Sequence, residues 1–304
     1  MERRRIGDSE LEASIIGLGC MSLGTDEQAA RKLIDEAIEY GINYFDTADL
    51  YNRGLNEELV GKALKDKRKN IILATKVGNR FTRDEVGWSW DPSKAHIKQA
   101  VKDSLSRLQT DYIDLYQLHG GTIEDHIDET IEAFEELKQE GIIRYYGISS
   151  IRPNVIREYV KRSSIISVMM QYSLLDRRPE EWFEWLAEQR ISVLARGPVA
   201  KGLLTERPLE QAPSAIKSNG YLAYSFAEIG QMKSAMSENS ERKMNELALN
   251  YCLAHPVVAS VIAGASTVKQ LDENIQAVRQ PELSTAELSR LKEISKPFSY
   301  EQHR

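Results

Sequence analysis

Short apolar runs alternate with longer amphipathic stretches along almost the whole of this chain. The apolar runs are rich in β-branched residues and do not alternate with polar ones, which is typical of parallel strands covered on both faces. We predict strands at residues 15–18, 42–45, 71–75, 113–118, 142–148, 165–170, 191–195 and 257–262. Each is followed by a predicted helix, at residues 26–40, 56–65, 93–108, 123–140, 153–161, 179–189, 241–254 and 268–278. The pattern therefore consists of eight strand–helix units.

The order of these units favours an α/β fold, a single (β/α)8 TIM barrel domain formed by residues 1–304. Gly41 and Gly141 each follow a predicted helix and are expected to end it, and Ser93 is expected to cap the start of another. The first 14 residues do not fit the alternation, and we expect them to form a β-hairpin that closes the bottom of the barrel. A doubly wound sheet agrees less well, because no GxGxxG motif follows the first strand.

One stretch, residues 206–240, is polar, poor in periodicity and rich in Ser, Gly and Pro. We predict a long loop there, between the seventh strand and its helix. Loops of this length in compact domains are usually functional or disordered. Its place in the alternation assigns it to the face of the barrel that carries the carboxyl ends of the strands.

Composition and charge exclude several classes of function. The net charge of -6 provides no general positive field to attract nucleic acid. No apolar run approaches the length of about 18 residues that a membrane span requires. The two cysteines, Cys20 and Cys252, lie far apart and suggest no disulfide framework, so we expect a cytoplasmic protein. No long apolar surface stripe is evident, and no oligomeric partner is predicted.

Four side chains with proton-transfer chemistry follow successive predicted strands: Asp46 and Tyr51 the second, Lys76 the third and His119 the fourth. The carboxyl ends of the strands in an α/β barrel meet at one mouth, where such enzymes carry out their chemistry. A phenol can donate a proton near neutral pH when a neighbouring cation stabilises its phenolate. Taken singly, each residue also has a structural explanation, as packing, as a buried ion pair or as a core histidine. Their joint order favours catalysis.

The chain resembles the aldo-keto reductase family in six motifs, which occur in the order GINYFDTADLY, ATKVG, DYIDLYQLHG, YYGISS, MQYSLL and VIAGAST with QLDENI. The resemblance extends from about residue 15 to residue 278, and it is greatest to the bacterial members related to potassium-channel β subunits. It implies that Tyr51 is the general acid, that Lys76 and Asp46 assist it, and that His119 orients the substrate carbonyl. It also implies a reduced nicotinamide as the hydride donor.

The same resemblance implies a cofactor site along the barrel mouth. Ser149, Ser150 and Gln171 are expected to bind the nicotinamide carboxamide, and Asp46 to contact the adjoining ribose. The helix that begins near Thr267 is expected to offer backbone N–H groups to a phosphate at the adenosine end. The full set expected to contact NADPH or NADP+ is Cys20, Met21, Asp46, Ser149, Ser150, Gln171, Arg196, Gly197, Pro198, Lys201, Gly202, Leu203, Arg207, Gly264, Ser266, Thr267, Gln270, Glu273 and Asn274.

Two positions depart from the family pattern. Arg196 stands where relatives often carry an aromatic residue that stacks on the nicotinamide. Its planar guanidinium can stack there and favour the reduced ring, or it can turn to a phosphate, and both alternatives stay open. Gln270 stands where many relatives carry an arginine for the 2′-phosphate, which Lys269 or Arg207 could replace. We expect a moderate preference for NADPH over NADH.

The substrate pocket is less well defined by the sequence. Tyr51 and His119 are expected to face the carbonyl group, and Met21, Trp88 and Trp90 to line an apolar pocket. Alternatively, the two tryptophans only anchor their loop. No metal site is predicted, because the five histidines show neither HxH nor HExxH spacing.

The sequence therefore predicts an NADPH-dependent oxidoreductase that reduces aldehydes or ketones, as small-molecule carbonyl substrates, to alcohols. The loops set the substrate on this fold, so the pattern defines the reaction rather than one compound. The rival interpretation is a nicotinamide-binding regulatory or redox-sensing module with little turnover. The complete set of four catalytic candidates favours the enzyme.

Overall fold

The computed structural model of the chain describes residues 1–81 and 87–304. The strands of these residues are β1 Arg3–Arg5, β2 Glu12–Ser14, β3 Ile16–Gly19, β4 Tyr44–Asp46, β5 Ile72–Val77, β6 Asn79–Arg80, β7 Ser89–Trp90, β8 Ile113–Leu118, β9 Ile143–Ser149, β10 Ser167–Gln171, β11 Ser192–Arg196 and β12 Val258–Gly264. The α-helices are α1 Glu27–Glu39, α2 Leu55–Leu64, α3 Lys94–Leu108, α4 Ile127–Gln139, α5 Pro153–Arg162, α6 Phe183–Glu188, α7 Ser214–Asn219, α8 Phe226–Glu238, α9 Met244–Leu253, α10 Val268–Val278 and α11 Thr285–Ile294.

Eight of the strands form a closed parallel barrel. Its neighbours follow chain order from β3 through β4, β5, β8, β9, β10 and β11 to β12, which pairs with β3 at Val261 and Ile16. Several strands, β5 and β8 among them, are buried along their whole length, as expected for a sheet with side chains inside and helices outside. The predicted (β/α)8 barrel is confirmed.

The N-terminal hairpin closes the amino end of the barrel, as predicted. Its strands β1 and β2 are antiparallel, and Arg3 lies opposite Ser14. The buried side chains Ile6 and Leu11 pack against the first residues of barrel strands, Tyr44 of β4 and Ile72 of β5 among them. The opposite, carboxyl end of the barrel is therefore left for the functional site.

Helix ends follow the expected local chemistry. Gly41 and Gly141 come one residue after the C-caps of α1 and α4 and have φ angles of 94° and 73°, in the region that favours glycine. The Ser93 side chain accepts a hydrogen bond from the backbone N–H of His96 and so caps α3. The helix predicted from residue 123 begins later, at Ile127, because the preceding residues form a turn in which Asp125 accepts the Thr122 N–H.

The prediction of a long loop at residues 206–240 is wrong, because this segment contains the helices α7 and α8. The start of α8 has a reciprocal capping box between Ser225 and Glu228. One face of α8 is apolar and buried, through Ile229, Met232 and Met236. The capping pair and this spacing are helix signals that the Ser- and Gly-rich surroundings obscure.

The C-terminal residues form a further helix, α11, with its own capping box between Ser284 and Glu287. A tail follows it, in which Tyr300 is buried and the backbone carbonyl of His303 accepts a hydrogen bond from the Asn154 N–H at the start of α5. Within residues 1–81 and 87–304, no helix is both long enough and apolar enough to span a membrane.

Candidate active site

The four predicted catalytic residues lie at the carboxyl ends of neighbouring barrel strands. Asp46 is the last residue of β4, and Lys76 is the penultimate residue of β5. His119 directly follows β8, and its backbone N–H donates to the Val77 carbonyl at 2.7 Å. Tyr51 begins a short 3-10 turn after β4. Three consecutive strands therefore deliver these groups to one side of the barrel mouth.

A buried lysine is the centre of this group. The ammonium of Lys76 donates hydrogen bonds to Asp46 Oδ1 and, at 2.7 Å, to the Thr47 carbonyl, while Tyr51 Oη lies 3.4 Å from Lys76 Nζ. The Lys76 and Asp46 side chains are only 1% and 5% exposed. The second carboxylate oxygen of Asp46 accepts from the amide of Gln117 at 3.2 Å. The phenol is thus next to a desolvated and fully hydrogen-bonded cation.

Burial and charge act in opposite directions on this ion pair. Burial alone would lower the pKa of Lys76, but the neighbouring Asp46 carboxylate and Tyr51 reverse the effect, and the pKa is raised. Lys76 is therefore charged at neutral pH. Burial raises the pKa of Asp46, and the Lys76 charge together with the Gln117 hydrogen bond opposes that rise.

The turn that carries Tyr51 is held from behind by polar side chains of α2. The residues after Tyr51 adopt left-handed backbone angles, which end at Gly54 with φ 89°. Asn56 accepts a hydrogen bond from the Thr47 hydroxyl at 2.7 Å. The buried Glu57 accepts one from the Thr75 hydroxyl at 2.6 Å, directly beside Lys76 in the chain. These contacts join the turn to the ends of β4 and β5.

The imidazole of His119 faces the phenol across the mouth. The ring centroids of Tyr51 and His119 are 6.0 Å apart, and the rings are nearly perpendicular. Burial, with the positive charges of Lys76 and Arg196, lowers the pKa of His119 to about 3. His119 is therefore neutral at physiological pH. Its Nδ1 atom is buried and has no hydrogen-bond partner among residues 1–81 and 87–304, which leaves hydrogen-bonding capacity for another group.

A family model described as "Aldo/keto reductase family" matches residues 15–296. The chain belongs to this family. The match covers the barrel and all four residues at its mouth, so the protein is an oxidoreductase of the aldo-keto reductase type.

Individual relatives agree with this assignment. The uncharacterized oxidoreductase YqkF of Bacillus subtilis is 63% identical over 305 residues, and the match covers 100% of both proteins. The L-galactose dehydrogenase of Arabidopsis thaliana is 32% identical, over 97% of this chain and 93% of the plant protein. Among solved structures, the holo form of the aldo-keto reductase AKR11C1 from Bacillus halodurans has 62% identity and a TM-score of 0.95, over 100% of this chain and 99% of that one.

In this aldo-keto reductase, the residues expected to bind the nicotinamide lie on the other side of the mouth. Ser149 ends β9 and is buried with Ser150, while Gln171 ends β10 and Arg196 ends β11. Hydroxyl groups at the end of β9 and an amide group at the end of β10 form a polar surface that can bind a carboxamide. The residues present therefore fit a nicotinamide cofactor.

Arg196 extends into the mouth beside this polar surface. Its Nη1 atom donates a hydrogen bond to Gln171 Oε1 at 3.1 Å. Its positive charge contributes to the low pKa of His119 and opposes the raised pKa of Asp46, so the guanidinium is close to the catalytic side of the mouth. Arg196 therefore binds Gln171 directly and acts on His119 and Asp46 through its charge.

The residues expected at the adenosine end lie at the start of α10. Thr267 is the N-cap, and its hydroxyl accepts the Gln270 N–H at 3.2 Å. The Gln270 side-chain oxygen accepts hydrogen bonds from the Ser266 N–H and hydroxyl, both at 2.9 Å. The Lys269 side chain is 85% exposed, and Glu273 lies 3.8 Å from its ammonium. Gln270 therefore covers part of the helix start, where a phosphate was expected, and Asn274 is buried one turn further on.

A second expected part of the cofactor site follows β11. It begins with Gly197 at φ 67° and continues through a 3-10 turn at Ala200–Gly202, in which Lys201 is exposed. Arg207 lies beyond it, and its carbonyl accepts from the Lys233 ammonium at 2.9 Å. The remaining members of this part are Pro198 and Leu203, which are buried, and Gly202, which is half-buried.

This second part and α10 both contact α9. The Glu206 carboxylate, next to Arg207, accepts the Met244 N–H at the start of α9 at 2.7 Å. Asn245 of α9 in turn donates to the Glu273 carbonyl of α10 at 2.9 Å. No hydrogen bond within residues 1–81 and 87–304 links Arg207 itself to α10.

The strand ends at the seam of the barrel are tightly packed. Cys20 is fully buried after β3, and burial raises the pKa of its thiol well above the ordinary range. Gly264 ends β12 so close to Ser22 that a Cβ atom there would lie 2.4 Å from the serine hydroxyl. Met21, which lies between Cys20 and Ser22 in the chain, is exposed. These residues border the mouth, but among them only Met21 offers a large accessible side chain.

The two tryptophans of the expected substrate pocket have different surroundings. Trp90 donates from its indole N–H to the Asp125 carboxylate at 3.0 Å, and its ring packs over Gly78 and Gly120. Trp88 is 57% exposed. The contacts of Trp90 thus agree with the anchoring alternative, whereas the Trp88 side chain is exposed to solvent.

Sequence reasoning missed several residues of the site. Gln117 lies two residues before His119, on the same face of an extended segment, so strand alternation was a usable signal for it. Thr47 contributes through its backbone carbonyl, which sequence patterns do not reveal. Asp176 and Tyr221, which bind Gln171, come from segments without a recognisable motif.

Proposed function

We propose that the protein is an NADPH-dependent reductase that converts aldehydes and ketones to alcohols. The observation that carries the proposal is the position of Tyr51 Oη, 3.4 Å from a lysine ammonium that is buried and paired with Asp46. A cation that is desolvated and held in place stabilises a phenolate strongly, and a general acid needs that stabilisation when it gives up its proton.

Each catalytic residue has a role that follows from its surroundings. Tyr51 donates the proton to the carbonyl oxygen, and Lys76 stabilises the phenolate that remains. Asp46 keeps Lys76 charged and oriented. His119, neutral at physiological pH, orients the carbonyl by hydrogen bonding rather than by giving up a proton. A bound reduced nicotinamide supplies the hydride.

Residues on the opposite side of the mouth are proposed to hold the nicotinamide. Ser149, Ser150 and Gln171 offer hydroxyl and amide groups suited to a carboxamide. Arg196 donates a hydrogen bond to Gln171, which supports a guanidinium beside the nicotinamide ring rather than one bound to a phosphate of the cofactor. Its positive charge there favours the reduced, neutral ring over the oxidised, cationic one.

The adenosine end is proposed to favour NADPH. Ser266, Thr267 and Lys269 offer two hydroxyls and an exposed cation beside the start of α10, and a helix start favours negative charge. Gln270 must turn away from Ser266 for the phosphate to reach those groups, and this movement weakens the preference.

Exposed apolar side chains on the loops of the mouth support a substrate with an apolar body. Met21, Trp88, Ile151 and Leu222 are large hydrophobic residues exposed on segments that follow β3, β6, β9 and β11. Where such side chains form one contiguous patch, the patch often belongs to a binding site. We therefore expect aromatic and aliphatic carbonyl compounds to be better substrates than free sugars.

The proposal is tested by following the absorbance of NADPH at saturating 4-nitrobenzaldehyde, with NADPH binding measured separately by fluorescence. Sustained oxidation that depends on the aldehyde supports a reductase. Tight NADPH binding without turnover, for this aldehyde and for a panel of ketones and sugars, would contradict it and favour the regulatory module.

A further inference from the structure

The hydrogen-bond partners of the Gln171 side-chain amide distinguish its nitrogen from its oxygen. Its Nε2 atom donates to Asp176 Oδ2 at 2.9 Å and to Tyr221 Oη at 3.2 Å, and its Oε1 atom accepts from Arg196 at 3.1 Å. A carboxylate can only accept hydrogen bonds, and a guanidinium can only donate them. Turning the amide over would set oxygen against carboxylate and N–H against guanidinium, so a single orientation is allowed.

Asp176 is itself fixed from behind. It is fully buried, and Arg178 binds it in a bidentate manner, with both hydrogen bonds at 2.7 Å. The C-terminal tail covers this arginine, and the ring centroids of Phe298 and Tyr300 lie 5.7 and 4.8 Å from its central carbon. Burial and the two hydrogen bonds from Arg178 therefore hold the Asp176 carboxylate in one orientation beside the Gln171 amide.

We propose that Asp176 is a positioning residue that fixes Gln171 with its amide oxygen toward the barrel mouth, so that the site selects a ligand with an N–H donor. This inference rests on the proposed function, in which Gln171 binds the nicotinamide carboxamide. A carbonyl oxygen has two lone pairs, so Oε1 can keep Arg196 and accept a carboxamide N–H as well. Asp176 contributes without touching the cofactor.

The proposal predicts discrimination between two cofactors that differ in one group. In 3-acetylpyridine adenine dinucleotide phosphate, a methyl group replaces the carboxamide nitrogen and cannot donate to Oε1. One hydrogen bond of this kind corresponds to roughly a tenfold difference in affinity. An asparagine at position 176 has both a donor and an acceptor, so of the two charged partners only Arg196 still opposes turning of the Gln171 amide, and the discrimination is reduced.

The test measures the Kd of NADP+ and of the acetylpyridine analogue, by quenching of tryptophan fluorescence, in the wild type, in Asp176→Asn and in a matched control. Asp114→Asn is the control, because Asp114 is also buried and bound by two arginines, Arg68 at 2.7 Å and Arg144 at 3.0 Å, but lies at the amino end of β8. We expect the wild type and Asp114→Asn to prefer NADP+ by about tenfold. Asp176→Asn should show a smaller preference, about threefold or less, through weaker binding of NADP+ alone.

A preference for NADP+ in Asp176→Asn equal to that of the wild type would overturn the inference, as would a wild type that binds both dinucleotides tightly and equally. A wild type that binds neither overturns the proposed function as well, so the two failures are distinguishable. If Asp176→Asn does not fold because Arg178 is left unpaired, the double variant Asp176→Asn/Arg178→Gln removes that charge and is measured in the same way. The double variant should show the same reduced preference for NADP+, and a preference equal to that of the wild type would again refute the role of Asp176.

Discussion

Replacing Lys76 with methionine is expected to reduce both the stability and the turnover of the protein. Methionine nearly matches the lysine stem in length and volume, so the change removes the ammonium with little loss of packing. Three groups lose a partner at once: Asp46 Oδ1, the Thr47 carbonyl and the Tyr51 hydroxyl. Because these groups are buried or half-buried, water cannot fully replace the lost hydrogen bonds.

The largest part of the penalty comes from Asp46. Its carboxylate is almost fully buried and would keep the Gln117 amide as its remaining side-chain partner. Removal of one member of a buried ion pair costs roughly 3–5 kcal/mol, a large fraction of the total stability of a typical protein. We therefore expect the free energy of unfolding to fall by about that amount at neutral pH.

The penalty should depend on pH in a defined direction. Burial already raises the folded-state pKa of Asp46, and loss of Lys76 raises it further, above the value in the unfolded chain. A carboxyl of this kind binds its proton more tightly in the folded protein than in the unfolded chain. The free energy of unfolding therefore falls as pH rises from the unfolded-state pKa of Asp46 to its folded-state pKa, by up to about 1.4 kcal/mol per pH unit. Lys76→Met should be closer to the wild type at pH 5 than at pH 8.

Urea unfolding of the wild type, Lys76→Met, Asp46→Asn and the double variant tests this reasoning. The double variant removes both charges, and we expect it to be more stable than the sum of the single penalties predicts, by roughly 0.5–3 kcal/mol. Strictly additive penalties, or a loss below about 1 kcal/mol for Lys76→Met at pH 8, would show that the pair behaves as an exposed one.

Three further predictions concern the rest of the site. The pKa of His119 is about 3 in the folded protein and about 6.5 in the unfolded chain. Between these two pH values the imidazole is protonated in the unfolded chain but not in the folded protein, so His119 destabilises the fold increasingly as pH falls. The stability of His119→Asn relative to the wild type should then rise toward acid pH by up to about 1.4 kcal/mol per unit, whereas a constant difference in urea unfolding would refute it. Arg196→Tyr should keep total cofactor affinity and shift the balance of Kd values toward the oxidised form, and equal weakening of both forms would assign Arg196 to a phosphate instead. The preference in kcat/KM for NADPH over NADH should correspond to roughly 1.5–3 kcal/mol at low ionic strength and decrease with added salt, and equal values at low salt would mean that the start of α10 does not bind the phosphate.

Most of the fold could be predicted because its signals are local. Strands such as β5 and β8 are continuous apolar runs, and Gly41 and Gly141 mark helix ends through backbone angles that other residues adopt at a cost. The helices α7 and α8 were missed because their apolar face is narrow and lies within a polar, glycine- and serine-containing segment. There the capping box at Ser225 was a better guide than the average composition.

The candidate site, too, could be predicted only where its residues have a local signal in the sequence. Asp46, Lys76 and His119 could be located because each lies within the last two residues of a strand or directly follows one, and parallel strands bring such positions together. The direction of Arg196 and the network behind Gln171 could not be predicted. They depend on Asp176, Tyr221 and the C-terminal tail, which the folded chain brings together from segments distant in sequence.

Substitution of Tyr51 by phenylalanine tests the central claim most directly, because it removes one hydroxyl and keeps the ring. The rate of NADPH oxidation with 4-nitrobenzaldehyde should fall on the order of 100-fold or more, the usual scale for loss of a general acid. The Kd of NADPH should stay within about twofold, since the phenol is proposed to contact the substrate, not the cofactor. Tyr112→Phe is the matched control, because that half-buried ring stacks on Arg68 at the opposite end of the barrel and should have no effect on turnover. A Tyr51→Phe enzyme with near-normal kcat would contradict the account.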